Sequence, residues 1–301
     1  MMSMHAPDPT PTAGAFPASK VLMLARLAKF RPHALAATLF ASIALTAPHP
    51  LSAQASDPRA QQAIEAAVQA ELAAAHSDHS NWMYHDRDTS PTHATYSYQI
   101  ETPQGSLKRI LQSNGVPLTG EARDNETNRI AHIVNDAAIQ SRERKAGAHD
   151  DAQAEEMTKM LPHAFLWTVA SETPEYLTLN YRPNPAFNPP DYESRVMCLM
   201  AGQVIIARQG HRMRTLRGTL TEDVKFGFGL FGRMNKGGTF DVERRMVGDG
   251  HWQITESHVH IGGHALLFKE IGQQDDEVKT DWKPSPAQTL HDAEDLLRDI
   301  R

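Results

Sequence analysis

The chain has 301 residues, with 30 Lys and Arg against 36 Asp and Glu for a net charge of −6, and 40% hydrophobic and 22% charged side chains. That composition excludes a collagen repeat and a disordered polyelectrolyte, and no run of 18 apolar residues is present to span a bilayer as a helix. A single cysteine closes no disulfide within the chain, so stability must come from a packed core.

The first segment reads as an address. Lys20, Arg26, Lys29 and Arg31 precede an apolar run from Ala34 to Ala47, then Pro48 and Pro50, then Ala53-Gln54-Ala55. The apolar run is too short for a span and matches a secretory h-region, and Ala53-Gln54-Ala55 is the A-x-A pattern that signal peptidase requires. Residues 1–55 are therefore expected to be a signal peptide, with Met23 a candidate start; the alternative is a buried N-terminal helix. Cleavage after Ala55 leaves 26 basic against 35 acidic side chains, a balance that excludes a nucleic-acid partner, which needs clustered Lys and Arg. Cys198 lies far from the processing site, so no lipid anchor forms on an N-terminal cysteine. The expected location is the periplasm or the medium, with no transmembrane segment.

In the remaining chain, Asp57-Pro58 supplies an N-cap and an N1 proline for a helix over Arg59–Ala75. Its apolar stripe is Ile64, Ala67, Val68, Leu72 and Ala75. Strands follow at Trp82–Asp88, Ala94–Glu101 and Leu107–Asn114, separated by proline- and glycine-bearing turns. A helical insertion spans 119–161. Its first helix is capped by Thr119, carries Ile130, Ile133 and Val134, and runs into the charged stretch before Gly147. Its second, Asp151 to Leu161, carries Met157 and stops at Pro162. Strands Ala164–Ser171 and Tyr176–Tyr181, a rigid Pro183–Pro190 loop and a short helix at Glu193–Met200 come next. Further strands are expected at Gln203–Arg208, Met213–Leu220, Asp223–Phe231, Thr239–Val247, Trp252–Ile261 and Ala265–Ile271. Residues 276–301 read as a polar C-terminal tail with a loose amphipathic helix at Leu290–Ile300.

Alternation sharpens the architecture. Val224, Phe226, Phe228 and Leu230 share one strand face against Lys225, Gly227 and Gly229, and Phe240 and Val242 repeat the pattern. The predicted fold is α+β: a single domain over 56–275 built on a curved antiparallel sheet, an incomplete barrel, with helices covering the concave side.

The motifs are sparse. Gly227 to Gly232 has G-x-G-x-x-G spacing, but a dinucleotide site needs a helix next, and here another strand follows. A bent strand and hairpin is the expected use of these glycines. His258, His260 and His264 sit in or after one strand, where alternate residues share a face, so His258 and His260 are candidate metal ligands beside Glu256. Exposed sheet-face histidines are the competing account. His76, His79 and His85 form a looser group. Cys198, within Val196-Met197-Cys198-Leu199-Met200, reads as a small buried hydrophobe. No catalytic residues and no cofactor are expected.

The stretches Met200–Ile206 to Met213–Gly218, and Asp223–Gly229 with Lys236–Phe240, give an order of elements that resembles the lipoprotein-sorting carrier family, of LolA, LolB and RseB type. The resemblance covers most of the chain in topology and carries over no individual site residue. It implies a half-barrel whose concave face holds acyl chains or a lipidated partner. Phe226, Phe228, Leu230, Phe240 and Val242 would line that face, with Ile130, Ile133, Val134 and Met157 on the covering helices; a plain helix–sheet core explains the same residues. The expected function is an exported, non-enzymatic binding or carrier protein for a lipid, a lipoprotein or another envelope protein. The alternatives are an envelope-stress type of interaction or sensor module without cargo, and a metal-dependent envelope hydrolase using His258 and His260.

Overall fold

The computed structural model describes residues 55–226, 232–265 and 269–300. Helix α1 (Pro58–Ser77) starts where its local chemistry dictates: the Asp57 carboxylate accepts the Arg59 N–H at 2.8 Å and Pro58 occupies the first turn. Strands β1 (Trp82–Ser90), β2 (His93–Thr102), β3 (Gly105–Ser113) and the two-residue β4 (Val116–Pro117) form a meander. Helices α2 (Gly120–Asn135) and α3 (Ala137–Ala164) follow, then β5 (Phe165–Glu172), β6 (Tyr176–Pro183), α4 (Tyr192–Cys198), β7 (Met200–Ala207) and β8 (Met213–Leu220). The chain closes with β9 (Val224–Phe226), β10 (Gly232–Met234), β11 (Thr239–Gly248), β12 (His251–Ala265), β13 (Lys269–Pro284) and α5 (Leu290–Arg298).

The strands form one antiparallel sheet of 13 strands in the order β4-β3-β2-β1-β13-β12-β11-β8-β7-β6-β5, with β9 and β10 branching from β12. The path ends at β4 and β5 and does not close into a barrel, as the α+β reading anticipates. The glycine-rich spacing has the hairpin context: Gly232 pairs with Phe226 and Arg233 with Lys225, and the element after it is a strand.

Register decides what each face carries. Val242 on β11 sits opposite Ser257 on β12, Ser257 opposite Glu277 on β13, Glu277 opposite Asp88 on β1, and Asp88 opposite Thr95 on β2. This line stays on one face across five strands. Tyr98 and Ile100 lie three and five residues beyond Thr95, so they point to the opposite face. The two cores obey this parity. One packs α1, α3 and α4 against β5, β6, β7, β8 and β11, through residues such as Ile64, Met157, Trp167, Leu179, Val204 and Phe240. The other packs α2 and α5 against β2 and β3, through Tyr98, Ile100, Leu107, Ile130, Val134, Leu290 and Leu297. The helices, expected from the sequence together on one side, thus divide between opposite faces of the two halves of the sheet.

Two local readings change. The insertion breaks at Asp136, not near Gly147, because the Asp136 carboxylate accepts the Ala138 and Ile139 N–H groups at 2.8 and 3.0 Å and starts α3 there. Helix α3 then runs through Gly147 and past Pro162, which falls in its last turns. Asn184, from the proline-rich loop, donates to the carbonyls of His163 and Ala164 and so satisfies the helix end. Of the stretch read as a polar tail, the part from Asp276 to Pro284 is instead the second half of β13, paired with β1, while the helix expected at Leu290–Ile300 is present as α5. Helix α5 is held by a capping box at Thr289 and Asp292, with Leu290, Ala293 and Leu297 buried.

Candidate functional site

The residues expected to line a shared apolar concavity do not meet. Phe240, Val242 and Met157 belong to the first core, and Ile130, Val134 and the partly buried Ile133 to the second, on the other face. The Phe226 backbone lies in β9, but its side chain, with Phe228 and Leu230, falls outside the described residues. Within the first core, the space enclosed by Leu161, Phe165, Trp167, Tyr181, Met197 and Phe240 amounts to about 10 Å³, the room of a single water. Phe165, Trp167 and Tyr181 fill it edge to face, with ring centroids 4.7 to 5.9 Å apart.

The histidines expected on a strand face are on one. His258 Nδ1 and His260 Nε2 both engage Asp276 Oδ1 on β13, at 2.6 and 3.0 Å. Burial pushes the Asp276 carboxyl up, but the hydrogen bonds from the two imidazoles outweigh it and hold the group below the ordinary value. His258 Nε2 also lies 3.9 Å from Glu256. Two imidazoles sharing one carboxylate oxygen form a hydrogen-bonded cross-strand pair, and no group of three or more His, Cys, Asp and Glu among the described residues is arranged to hold an ion. His264 belongs to β12, with its side chain outside the described residues. The looser histidines go elsewhere: His76 to Glu155, and His85 to Asp281 with its ring stacked on Tyr96.

Beside this cluster, where β11, β12 and β13 reach their ends, lies an open groove of about 420 Å³ walled by Met246, Val247, Val278 and Trp282, with Arg245 and Lys279 among its charged lining. Three irregularities of the ladder make it: bulges in the β11–β12 pairing at Glu243/Arg244 and Met246/Gly248, and one between Met83 and His85 in the β1–β13 pairing. Each inserts an unpaired residue and re-aims its neighbours. Asp281, opposite the last bulge, takes φ +58°. Trp282 is held rigidly, stacked on Tyr84 at 4.2 Å and donating Nε1–H to the Lys279 carbonyl at 3.2 Å. Gly248 leaves the space that the Trp82 ring fills, since a Cβ there would collide with it. Met246 is 57% exposed.

Strands β1, β2, β3 and β13 carry a buried polar stripe that begins at the groove's edge, which sequence reasoning missed. Lys108 pairs with Asp86 at 2.6 Å and Lys279 with Glu277 at 3.3 Å, while Glu101 accepts the Trp82 N–H at 3.0 Å. Burial, with Glu101, Asp86 and Glu277 nearby, pushes the Tyr84 phenol well above its ordinary value. Burial likewise raises Asp88, Lys108 opposing and Glu277 adding to the effect. The only signal in the sequence was the alternation of charge on β1 and β13, which reads equally as a solvated face.

Compared with known protein families, curated proteins and solved structures, the chain matches none.

Proposed function

We propose that the chain is an exported, non-enzymatic binding protein of the cell envelope that engages its partner at the groove formed by Met246, Val247, Val278 and Trp282. One contrast supports this reading. The space enclosed by Leu161, Phe165, Trp167, Tyr181, Met197 and Phe240 beneath the helices is about 10 Å³, whereas the groove is about 420 Å³, with a rigid tryptophan, an exposed methionine and the charges Arg245, Glu256 and Lys279. Rigid aromatic and methionine anchors beside charged rim groups are what a partner's apolar segment needs. An interaction module of this kind corresponds to the envelope-sensor alternative more than to a carrier that encloses acyl chains.

Export is part of the proposal. Ser56, the first residue after the expected cleavage, accepts the Trp167 N–H at 3.1 Å, and the Asp57 N–H donates to the Trp167 carbonyl at 2.8 Å. Processing after Ala55 therefore leaves every one of these bonds in place.

The test is calorimetry of the mature protein with a synthetic diacylglyceryl-cysteine peptide and with the same peptide lacking its acyl chains. Binding of the lipidated peptide, lost in Met246→Glu and in Trp282→Ala, is the expected result. Equal binding of both peptides assigns the groove to protein contacts alone. Acyl chains held undiminished by both variants, or no binding of either peptide, refute the assignment.

A further inference from the structure

On the other half of the sheet, three strands from β13, the second core contains a cation that the fold itself does not satisfy. Arg109 stands on β3 beneath α2 and is 4% exposed. Its guanidinium makes one hydrogen bond, Nη1 to Thr127 Oγ1 at 3.3 Å, and its enclosed Nε makes none. The Thr127 hydroxyl gives its own proton to the Arg123 carbonyl at 3.0 Å, so it serves Arg109 only as an acceptor. The neighbouring carboxylate is already engaged: Glu126 accepts from Arg129 at 2.7 and 2.8 Å and from the Ile110 N–H at 2.7 Å.

The surroundings add positive charge. Burial, and then the cations Arg123, Arg129 and Arg298, push the Arg109 guanidinium below its ordinary value, with Glu126 alone pulling it up. Arg298 holds Asp295 at 2.9 Å, and Arg123 has no ion-pair partner among the described residues. Around Arg109, between β3, α2 and α5, the cations Arg123, Arg129 and Arg298 thus stand against the one carboxylate Glu126, which Arg129 already holds. A buried charge is costly unless it is paired and hydrogen-bonded, so an anion from outside the fold would relieve this one. The unpaired edge of Arg109 is the one formed by Nε and Nη2, whose parallel N–H groups match two oxygens of a single oxyanion.

We propose that Arg109 and Arg123, with Arg298 at the rim, form a binding site for a phosphate group. A phosphate monoester carries close to two negative charges and three acceptor oxygens, enough to answer Arg109 and Arg123 together where a carboxylate offers one charge and two oxygens. One pair of oxygens takes the Arg109 edge and a third reaches Arg123. Because Nε is enclosed, the anion gains the whole edge only as the side chains around it shift, and α5, nine residues long and packed over β2 and β3, is the element beside it. The site is independent of the groove and stands or falls separately from it.

The experiment titrates the mature protein with inorganic phosphate by calorimetry, against chloride at matched ionic strength, and in a second arm floats it with vesicles of phosphatidylcholine with or without phosphatidic acid, whose headgroup is a phosphate monoester. The expected result is saturable one-to-one phosphate binding, weakened about 10- to 100-fold in Arg109→Gln, the range for losing a charge-assisted hydrogen bond. Arg123→Gln should weaken it in the same direction. Without phosphate, Arg109→Gln should melt no lower than the parent, since it removes an unpaired buried charge. Binding to phosphatidic acid vesicles alone, lost in both variants, identifies the phosphate as a lipid headgroup; binding of inorganic phosphate alone identifies a soluble ligand. No saturable binding in either arm, or binding unchanged in both variants, overturns the proposal. If Arg109→Gln fails to fold, the half-buried Arg123→Gln decides by itself.

Discussion

Glu71 is the carboxylate on which the attachment of α1 to the sheet depends. It is 3% exposed and meets Arg244 at 2.5 Å and Arg212 at 3.0 Å, while its other oxygen accepts the Met213 N–H at 2.7 Å. Replacing it by glutamine keeps the shape and one acceptor but leaves two guanidiniums, one of them 4% exposed, without an anion. Breaking a buried ion pair in this way costs about 3–5 kcal/mol. In a domain of this size each kcal/mol moves Tm by about 2–4 °C, so Glu71→Gln should melt about 6–20 °C below the parent. Circular dichroism with heat and with urea measures it.

The acid limb gives a second reading of the same group. Burial pushes the Glu71 carboxyl up, but Arg244 and Arg212 together more than offset it and hold it below the ordinary 4.5. A group depressed in the folded state stabilises fully above its unfolded pKa and loses that contribution as pH falls through the folded value. The stability gap between parent and Glu71→Gln should therefore be constant near neutrality and narrow below about pH 4.5. A loss under about 1 kcal/mol at neutral pH, or a gap unchanged down to about pH 3, would refute the reasoning. Replacing all three partners by Met or Leu should cost far less than Glu71→Gln alone, because it removes the unpaired charges as well.

Three further outcomes are expected. Asp57→Ala removes the α1 cap and should cost about 1 kcal/mol in urea unfolding, and no change would dissociate the cap from stability. Gly218→Ala drives a Cβ into the Tyr181 hydroxyl and the Phe240 ring and displaces the hydrogen bond from Tyr181 Oη to the Arg217 carbonyl. Overpacking of this kind should cost about 1–3 kcal/mol, with the urea m-value unchanged. Burial, with Asp191 nearby, pushes the Cys198 thiol up to about 11, so a disulfide reagent at pH 8 should leave the native protein unmodified and titrate one thiol in denaturant. Rapid native modification would contradict its burial.

Much of the secondary structure was legible because its signals are local. Asp57-Pro58 marks the start of α1 through a side-chain cap and a fixed φ, and Met213–Leu220 emerges with both ends correct because alternation and flanking turns bound it. Helix α3 was read short because Gly147 and Pro162 count as breakers, yet one glycine costs only about 1 kcal/mol against a continuous ladder. The half of β13 beyond Asp275 was read as tail because its side chains are polar. They are polar because β13 lies mid-sheet between β1 and β12, where Asp276 meets two histidines and Glu277 meets Lys279. Of the candidate site, the histidine face was visible at spacing i, i+2. The groove was not, since bulges arise from the pairing of two strands.

What local chemistry along the chain determines is therefore the class: an antiparallel α+β protein whose strands alternate and whose helices are amphipathic. Which helix covers which face is decided by register, because shifting a pairing by one residue exchanges the faces of a whole strand. That is why Val242 and Ile130, both expected on one shared apolar face, end in separate cores on opposite sides. Charges behave likewise. Glu71, Arg244 and Arg109 are ordinary polar residues in the sequence, and only the tertiary structure buries them, pairing the first two and leaving Arg109 with a single hydrogen bond.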